Sequence, residues 1–288
     1  MDEERVHAQL ETKYECKDCH MLFCTTGIKR ITNCIQCNSN NLESTETSVT
    51  RRPYIIPFQK SIKDAESEYE KKTKWNPFLP WKIHKKEILH SMQTIYIPAY
   101  YTNVNYKGEI SFYAMDKKNQ PTSQKFEVVS KINFDYKNII ETSTTVLEDK
   151  IWNTLGDYDM EYAQNYDSNI LENGVHIEPN IEPNQVAEKI QDKVSKNALG
   201  TIRKNIQHEL KKLNYNHANI RYDNTTEILV PMYILLVNKN QKQYKFFMNG
   251  QNGKSIMIYP IGRLETILLC AGIFVIIFLC SFLISYFL

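Results

Sequence analysis

"IYIPAYYTNVN", residues 95–105, and "ILVPMYILLVN", residues 228–238, are two versions of one phrase. Pro98 answers to Pro231, Tyr100 to Tyr233, Val104 to Val237 and Asn105 to Asn238. Each copy is expected to turn and resume with aromatics, "ISFYAM" after the first and "YKFFMN" after the second. Tyr, Ile and Val at this density favour a sheet. A period of about 133 residues is too long for a solenoid, so the phrase predicts a duplicated α+β unit built around a strand hairpin, or two related sheets. Proline inside a strand signature predicts that each copy starts or bends there, at a sheet edge.

The neighbouring segments extend this pattern. Residues 92–116 predict two strands about a short turn at Gly108, and 123–136 and 137–144 continue in the same style. "SIKDAESEYEKKTKW" predicts a surface helix, "TVLEDKIWNTL" a short one, and the Asn/Asp/Tyr-rich stretch 156–184 a loop. Residues 184–214 carry the clearest helical pattern, with Ala187, Ile190, Val194, Leu199, Ile202, Ile206, Leu210 and Leu213 on one face. "MNGQNGK" (248–254), with two Asn-Gly pairs, predicts a hairpin turn into a last strand, "SIMIYPIG". Trp75, Phe78 and Trp81 are expected core anchors.

Five of the seven cysteines fall within "YECKDCHMLFCTTGIKRITNCIQCNS", residues 14–39. Cys16, Cys19, Cys34 and Cys37 form two CxxC pairs separated by 14 residues, a spacing that suits one zinc ion held by four thiolates. A two-residue gap lets a tight turn offer both sulfurs of a pair to one ion. Cys16-Lys-Asp-Cys19-His20 also fits a haem-attachment pattern, but that chemistry needs an exported chain and leaves Cys34 and Cys37 unexplained. With four thiolates filling a tetrahedron, the site is expected to be structural, and metal binding to fold a domain too small to fold by burial alone. His20 and Cys24 fall outside the four; Cys24 is expected to be a half-buried hairpin residue, with thiol exchange against a ligand as the alternative.

Residues 1–50 hold five Lys/Arg against eight Asp/Glu. That acidic balance counts against phosphate-neutralising contacts with nucleic acid, for which Lys29, Arg30, Arg51 and Arg52 are the only basic patch. No Walker, GxSxG, HExxH or dinucleotide motif occurs, and His84, His90, His176, His208 and His217 have no neighbouring partner in sequence, so no enzyme activity is expected. The acidic start lacks the features of a secretory signal.

At the other end, Thr266–Leu288 is 23 residues without charge, 15 of them Ile, Leu, Val or Phe. That length predicts a single transmembrane anchor. Lys254 and Arg263 before it place the body on the cytosolic side.

These parts together resemble a bacterial family of membrane-anchored zinc-ribbon proteins, often labelled after the replication-restart helicase or a transcription initiation factor, which also carry four-cysteine ribbons. Asn249, Gly250, Gly253 and Lys254 match the family's "vNGqTGk" turn, and Asn252 stands where Thr is common. The resemblance implies partnership with flotillin-type and phage-shock-type proteins in envelope stress, and it carries no catalytic residues.

The expected fold is therefore α+β: a small β zinc ribbon (1–45), a linker (46–53, within the apolar-poor stretch 38–53), a cytosolic α+β body with the duplicated unit (54–263) and a transmembrane helix (264–288). The expected function is a membrane-anchored adaptor that recruits other proteins at the cytosolic face, bound to the bilayer through 266–288. The alternative is a membrane-tethered nucleic-acid-binding regulator using the ribbon.

Overall fold

The two copies of the opening phrase pair with each other. The first lies in strand β5 (Gln93–Met115) and the second in β10 (Asn219–Lys239), and they run antiparallel with Pro98 opposite Leu229, Ile97 opposite Val230 and Tyr96 opposite Pro231. This register is its own image: exchanging the copies returns the same pairs about a local two-fold axis between Ile97 and Val230.

The computed structural model describes residues 10–26, 31–48, 54–74, 76, 79, 86–115, 125–166, 170–171, 174–206, 209–239, 242–260 and 263–287. Trp75, Phe78, Trp81, His84 and His208 lie outside these, as do Lys29, Arg30, Arg51 and Arg52.

The symmetry runs well beyond the quoted phrase. Strand β4 (Tyr54–Ile55) lies parallel to β10 at Ile228 and Leu229, and β8 (Val175–Ile177) lies parallel to β5 at Ile95 and Tyr96, the matching positions. Strand β6 (Phe126–Thr142) joins β5 with Thr142 opposite Ala99, and β11 (Lys242–Asn249) joins β10 with Asn249 opposite Met232. Beyond these ends, Ser143 N–H donates to Pro98 O and Gly250 N–H to Pro231 O, at 3.0 and 2.9 Å.

Each short parallel strand leads into a helix, and both helices start from a capping box. Helix α1 (Ile62–Thr73) is capped by Ser61 and Asp64, and α3 (Pro183–Asn205) by Glu182 and Gln185. The approaches match too. Gln59 and Lys60 donate to Gly250 O, as Asn180 and Ile181 donate to Ser143 O. The units are interlocked, since the short strand of each pairs with the long strand of the other. Helix α1 sets Ala65 and Tyr69 against Tyr233, Leu235, Phe246 and Met248, while α3 sets Val186, Ile190, Val194, Ala198 and Ile202 against Val104, Tyr106, Ile110 and Phe112.

Pro98 and Pro231 are central rather than at an edge. Each carbonyl faces the flank where the parallel strand has left and the antiparallel one begins, between Tyr96–His176 and Ala99–Thr142 in one half and between Leu229–Ile55 and Met232–Asn249 in the other. A residue without an N–H suits that change of partner.

The remaining strands are β1 (Leu10–Cys16), β2 (Leu22–Thr26), β3 (Leu42–Ser48), β7 (Gln164–Asn165), β9 (Glu209–Asn216) and β12 (Ser255–Ile258). All twelve belong to one mixed sheet, β12-β11-β10-β5-β8-β2-β1-β3, with β6 and β9 on β5, β4 on β10 and β7 on β4. The expected α+β class is thus corrected to a large mixed β-sheet with few helices. Ladder pairing overrode local pattern in several places. The stretch read as linker contains β3, bonded along β1 from Leu10–Ser48 to Cys16–Leu42. The helix expected over 184–214 stops at Asn205, because Ile206 turns extended and β9 takes the edge of β5 from Ile110 to Met115.

No turn forms at Gly108, and β5 runs straight through it. A Cβ there would lie 2.5 Å from Ala218 Cα and His217 O, so glycine lets the start of β10 cross closely.

The C-terminal segment forms helix α4 (Arg263–Phe287), with Phe274, Ile276 and Phe278 exposed. Among the described residues no helix is long and apolar enough to cross a membrane. The expectations of a single transmembrane anchor and of placement at the cell membrane through it are corrected by this finding.

Candidate metal centre

Cys16 ends β1 and Cys19 follows in the turn to β2; Cys34 and Cys37 occupy a second turn before β3. The two turns have the same construction. Cys16 N–H donates to Met21 O and His20 N–H to Cys16 O, at 3.0 and 2.8 Å; Cys34 N–H donates to Ser39 O and Asn38 N–H to Cys34 O, at 2.7 and 2.9 Å. The residue after the second cysteine of each pair has positive φ, 58° at His20 and 63° at Asn38. His20 is therefore a left-handed turn residue, its side chain exposed and 3.8 Å from Glu15, and not a ligand.

Asp18 ties the turns together, accepting from Ser39 Oγ at 2.5 Å and Asn41 Nδ2 at 3.0 Å. Those two bonds hold its carboxyl below the usual range.

The four sulfurs converge. Cys16 Sγ lies 3.5 Å from Cys37 Sγ, and Cys19 Sγ lies 3.5 Å from Cys34 Sγ. All four lie within 4.8 Å of one another. A tetrahedron with metal–sulfur bonds of about 2.3 Å has edges of about 3.8 Å, so these residues can hold a metal ion. Backbone donors favour thiolates here: Gln36 N–H points at Cys34 Sγ from 3.4 Å. Burial acts against ionisation at Cys16, but the N–H groups of Cys19 and Asp18 outweigh it and bring the thiol down to about 7. At Cys34 burial prevails and pushes the thiol up to about 11.

Beside the second turn a cleft of about 430 Å³ separates the ribbon from the core, lined by Thr32, Asn33, Asn38, Gln93, Ile234 and Leu236 among others. Gln93 Oε1 is buried with no hydrogen-bond partner among the described residues.

Cys24 is fully buried in β2, and burial, followed by the charges of Glu178 and Glu11, pushes its thiol well up. It stands with Glu11 and His176 in a separate cluster, which sequence reasoning missed. The separations exceed 150 residues in the case of Glu178, and no local spacing signals them.

No family model matches the chain, and no solved structure matches it. It is 21% identical over 217 residues to the uncharacterized protein YdjG of Bacillus subtilis (strain 168), covering 73% of this chain and 64% of that one. The chain thus spans just under two thirds of that relative's length.

Proposed function

We propose that this chain is a protein-binding adaptor whose ribbon is folded by one structural zinc on Cys16, Cys19, Cys34 and Cys37. The observation that carries it is the convergence of four thiols, since four thiolates complete the tetrahedral coordination of zinc and so suit a structural ion rather than a catalytic one. With the ribbon joined to the core sheet through β2 and β8, the metal stiffens the turn that forms one wall of the cleft, at Thr32, Asn33 and Asn38. Flotillin-type proteins, which the family resemblance names, are the first partners to look for.

The test is in-cell crosslinking of the full chain. A partner set lost both on Cys34→Ser, which removes the metal, and on Thr32→Arg, which fills the cleft mouth, supports the adaptor. A partner set unchanged by both refutes it. Elemental analysis showing iron, or no metal lost on Cys34→Ser, refutes the zinc.

A further inference from the structure

Four side chains meet on one face of the sheet where the ribbon joins the core. Cys24 on β2 is directly opposite His176 on β8, and Lys13 on β1 is opposite Cys24. Glu11 is two residues from Lys13 and Glu178 two from His176, so alternation brings all of them to the same side. Glu11 is 4% exposed, Cys24 1% and His176 3%.

The distances among them are informative. Cys24 Sγ lies 3.5 Å from Glu178 Oε1, and His176 Nε2 lies 3.4 Å from Glu178 Oε1 and 3.6 Å from Glu11 Oε2. The two His176 distances are long for charge-assisted N–H···O bonds, which fall at about 2.7–2.9 Å. All three distances fall in the range of ligand–ligand separations around one ion with bonds of about 2.0–2.3 Å to nitrogen, oxygen and sulfur, roughly 3.3–3.8 Å. His176 Nδ1 is buried without a hydrogen-bond partner among the described residues, so the ring has no ordinary hydrogen bond to fix its tautomer. Nε2 bound to a cation would place the proton on Nδ1. Glu11 is held from behind, its Oε1 accepting from Tyr166 at 3.4 Å while Oε2 faces the imidazole.

The pseudo-symmetry sharpens the contrast. The position matching His176 is Ile55, fully buried, beside Leu229. A polar cluster replaces an aliphatic contact only where the ribbon attaches.

We propose that Glu11, Cys24 and His176 form a second metal site, for a divalent cation of the zinc class, that clamps the ribbon to the core, with Glu178 beside Cys24 and His176 at its open side. Thiolate with imidazole selects zinc over magnesium or calcium. Binding displaces the Cys24 thiol proton to solvent. The ion links β1 and β2 of the ribbon to β8 of the core, and so fixes the orientation the cleft depends on. This inference does not rest on the adaptor or on the four-cysteine zinc.

The experiment is zinc stoichiometry on the purified full chain after zinc loading and dialysis. The wild type should hold two equivalents, and Cys24→Ala, His176→Asn and Cys34→Ser one each, with none left in Cys24→Ala/Cys34→Ser. Cobalt(II) loaded into Cys34→Ser should show a thiolate charge-transfer band that Cys24→Ala abolishes in that background. Glu178→Gln, the mildest change, should weaken zinc retention against a chelator with the circular dichroism spectrum unchanged. A wild type with one equivalent, lost on Cys34→Ser and kept on Cys24→Ala and His176→Asn, overturns the second site and leaves the four-cysteine site standing. One equivalent kept on Cys34→Ser and lost on Cys24→Ala supports the second site and refutes the first.

Discussion

Strand β4 lies beside β10 as β8 lies beside β5, yet the two short strands have different outer neighbours. β4 meets only the two-residue β7, whereas β8 carries β2 and with it the three-stranded ribbon. The difference is written in the side chains that face across: Ile55 in one half and His176 in the other. The turn positions also differ, since Gly250 occupies the place that Ser143 takes in the first half. A duplicated backbone therefore tolerates divergence wherever the two copies meet different surroundings, and demands likeness where they meet each other, at Ile97 and Val230.

That contrast can be broken experimentally, beginning with the largest effect. Cys34→Ser should abolish metal binding at the four-cysteine site, a loss on the order of 10 kcal/mol to the ribbon. Because Tyr14 and Phe23 pack in the main core and β2 is paired with β8, calorimetry should show one transition moved to lower temperature, with β1 and β2 still folded below it.

Making the halves alike at the short strands should be costly next. Ile55→His buries an imidazole beside Tyr96, Leu171 and Leu229 and should lower stability by about 3 kcal/mol in denaturant unfolding. An unchanged midpoint would show that this half accepts the same polar chemistry as the other.

The turns make a paired test. A Cβ on Gly250 would lie 2.5 Å from the Phe58 ring, itself wedged between Tyr96 and Tyr233, so Gly250→Ser should cost about 2 kcal/mol. The mirror change Ser143→Gly should cost less than about 1 kcal/mol. Equal effects would mean the difference between the turns is not steric.

The smallest effect concerns Glu141 on β6, whose carboxyl is raised above its ordinary value by burial, with Lys193 only partly offsetting it. A raised folded pKa favours the protonated acid, so its contribution to stability is present below the unfolded value and lost as pH rises through the folded one. Glu141→Gln should therefore raise the melting temperature at neutral pH and leave it unchanged in acid.

The metal centre was legible because its ligands are local: each CxxC pair is a turn of fixed geometry, and His20 and Asn38 supply the positive φ both turns need. The "NGxxGK" turn was legible as a turn but not as an anchor. Asn249 is fully buried, donating to Leu155 O at 2.7 Å and accepting from Gln251 N–H at 2.8 Å, contacts whose partners lie partly far away in the chain. Strand limits were the least legible. Gly108 looks like a turn until the crossing backbone of Ala218 is seen, and Leu210 and Leu213 continue a helical period that the free edge of β5 overrides.

Sequence alone determined the repeat, the four cysteines that converge and the presence of the two longer helices of the body, because each rests on residues within a few positions of one another or on direct likeness between segments. Only the tertiary structure decided that the repeats pair with each other, that each lends its short strand to the other, and that Glu11, Cys24, His176 and Glu178 share one buried face. Those outcomes depend on strand register, which is fixed by burial and hydrogen bonding over the whole sheet and leaves no local trace.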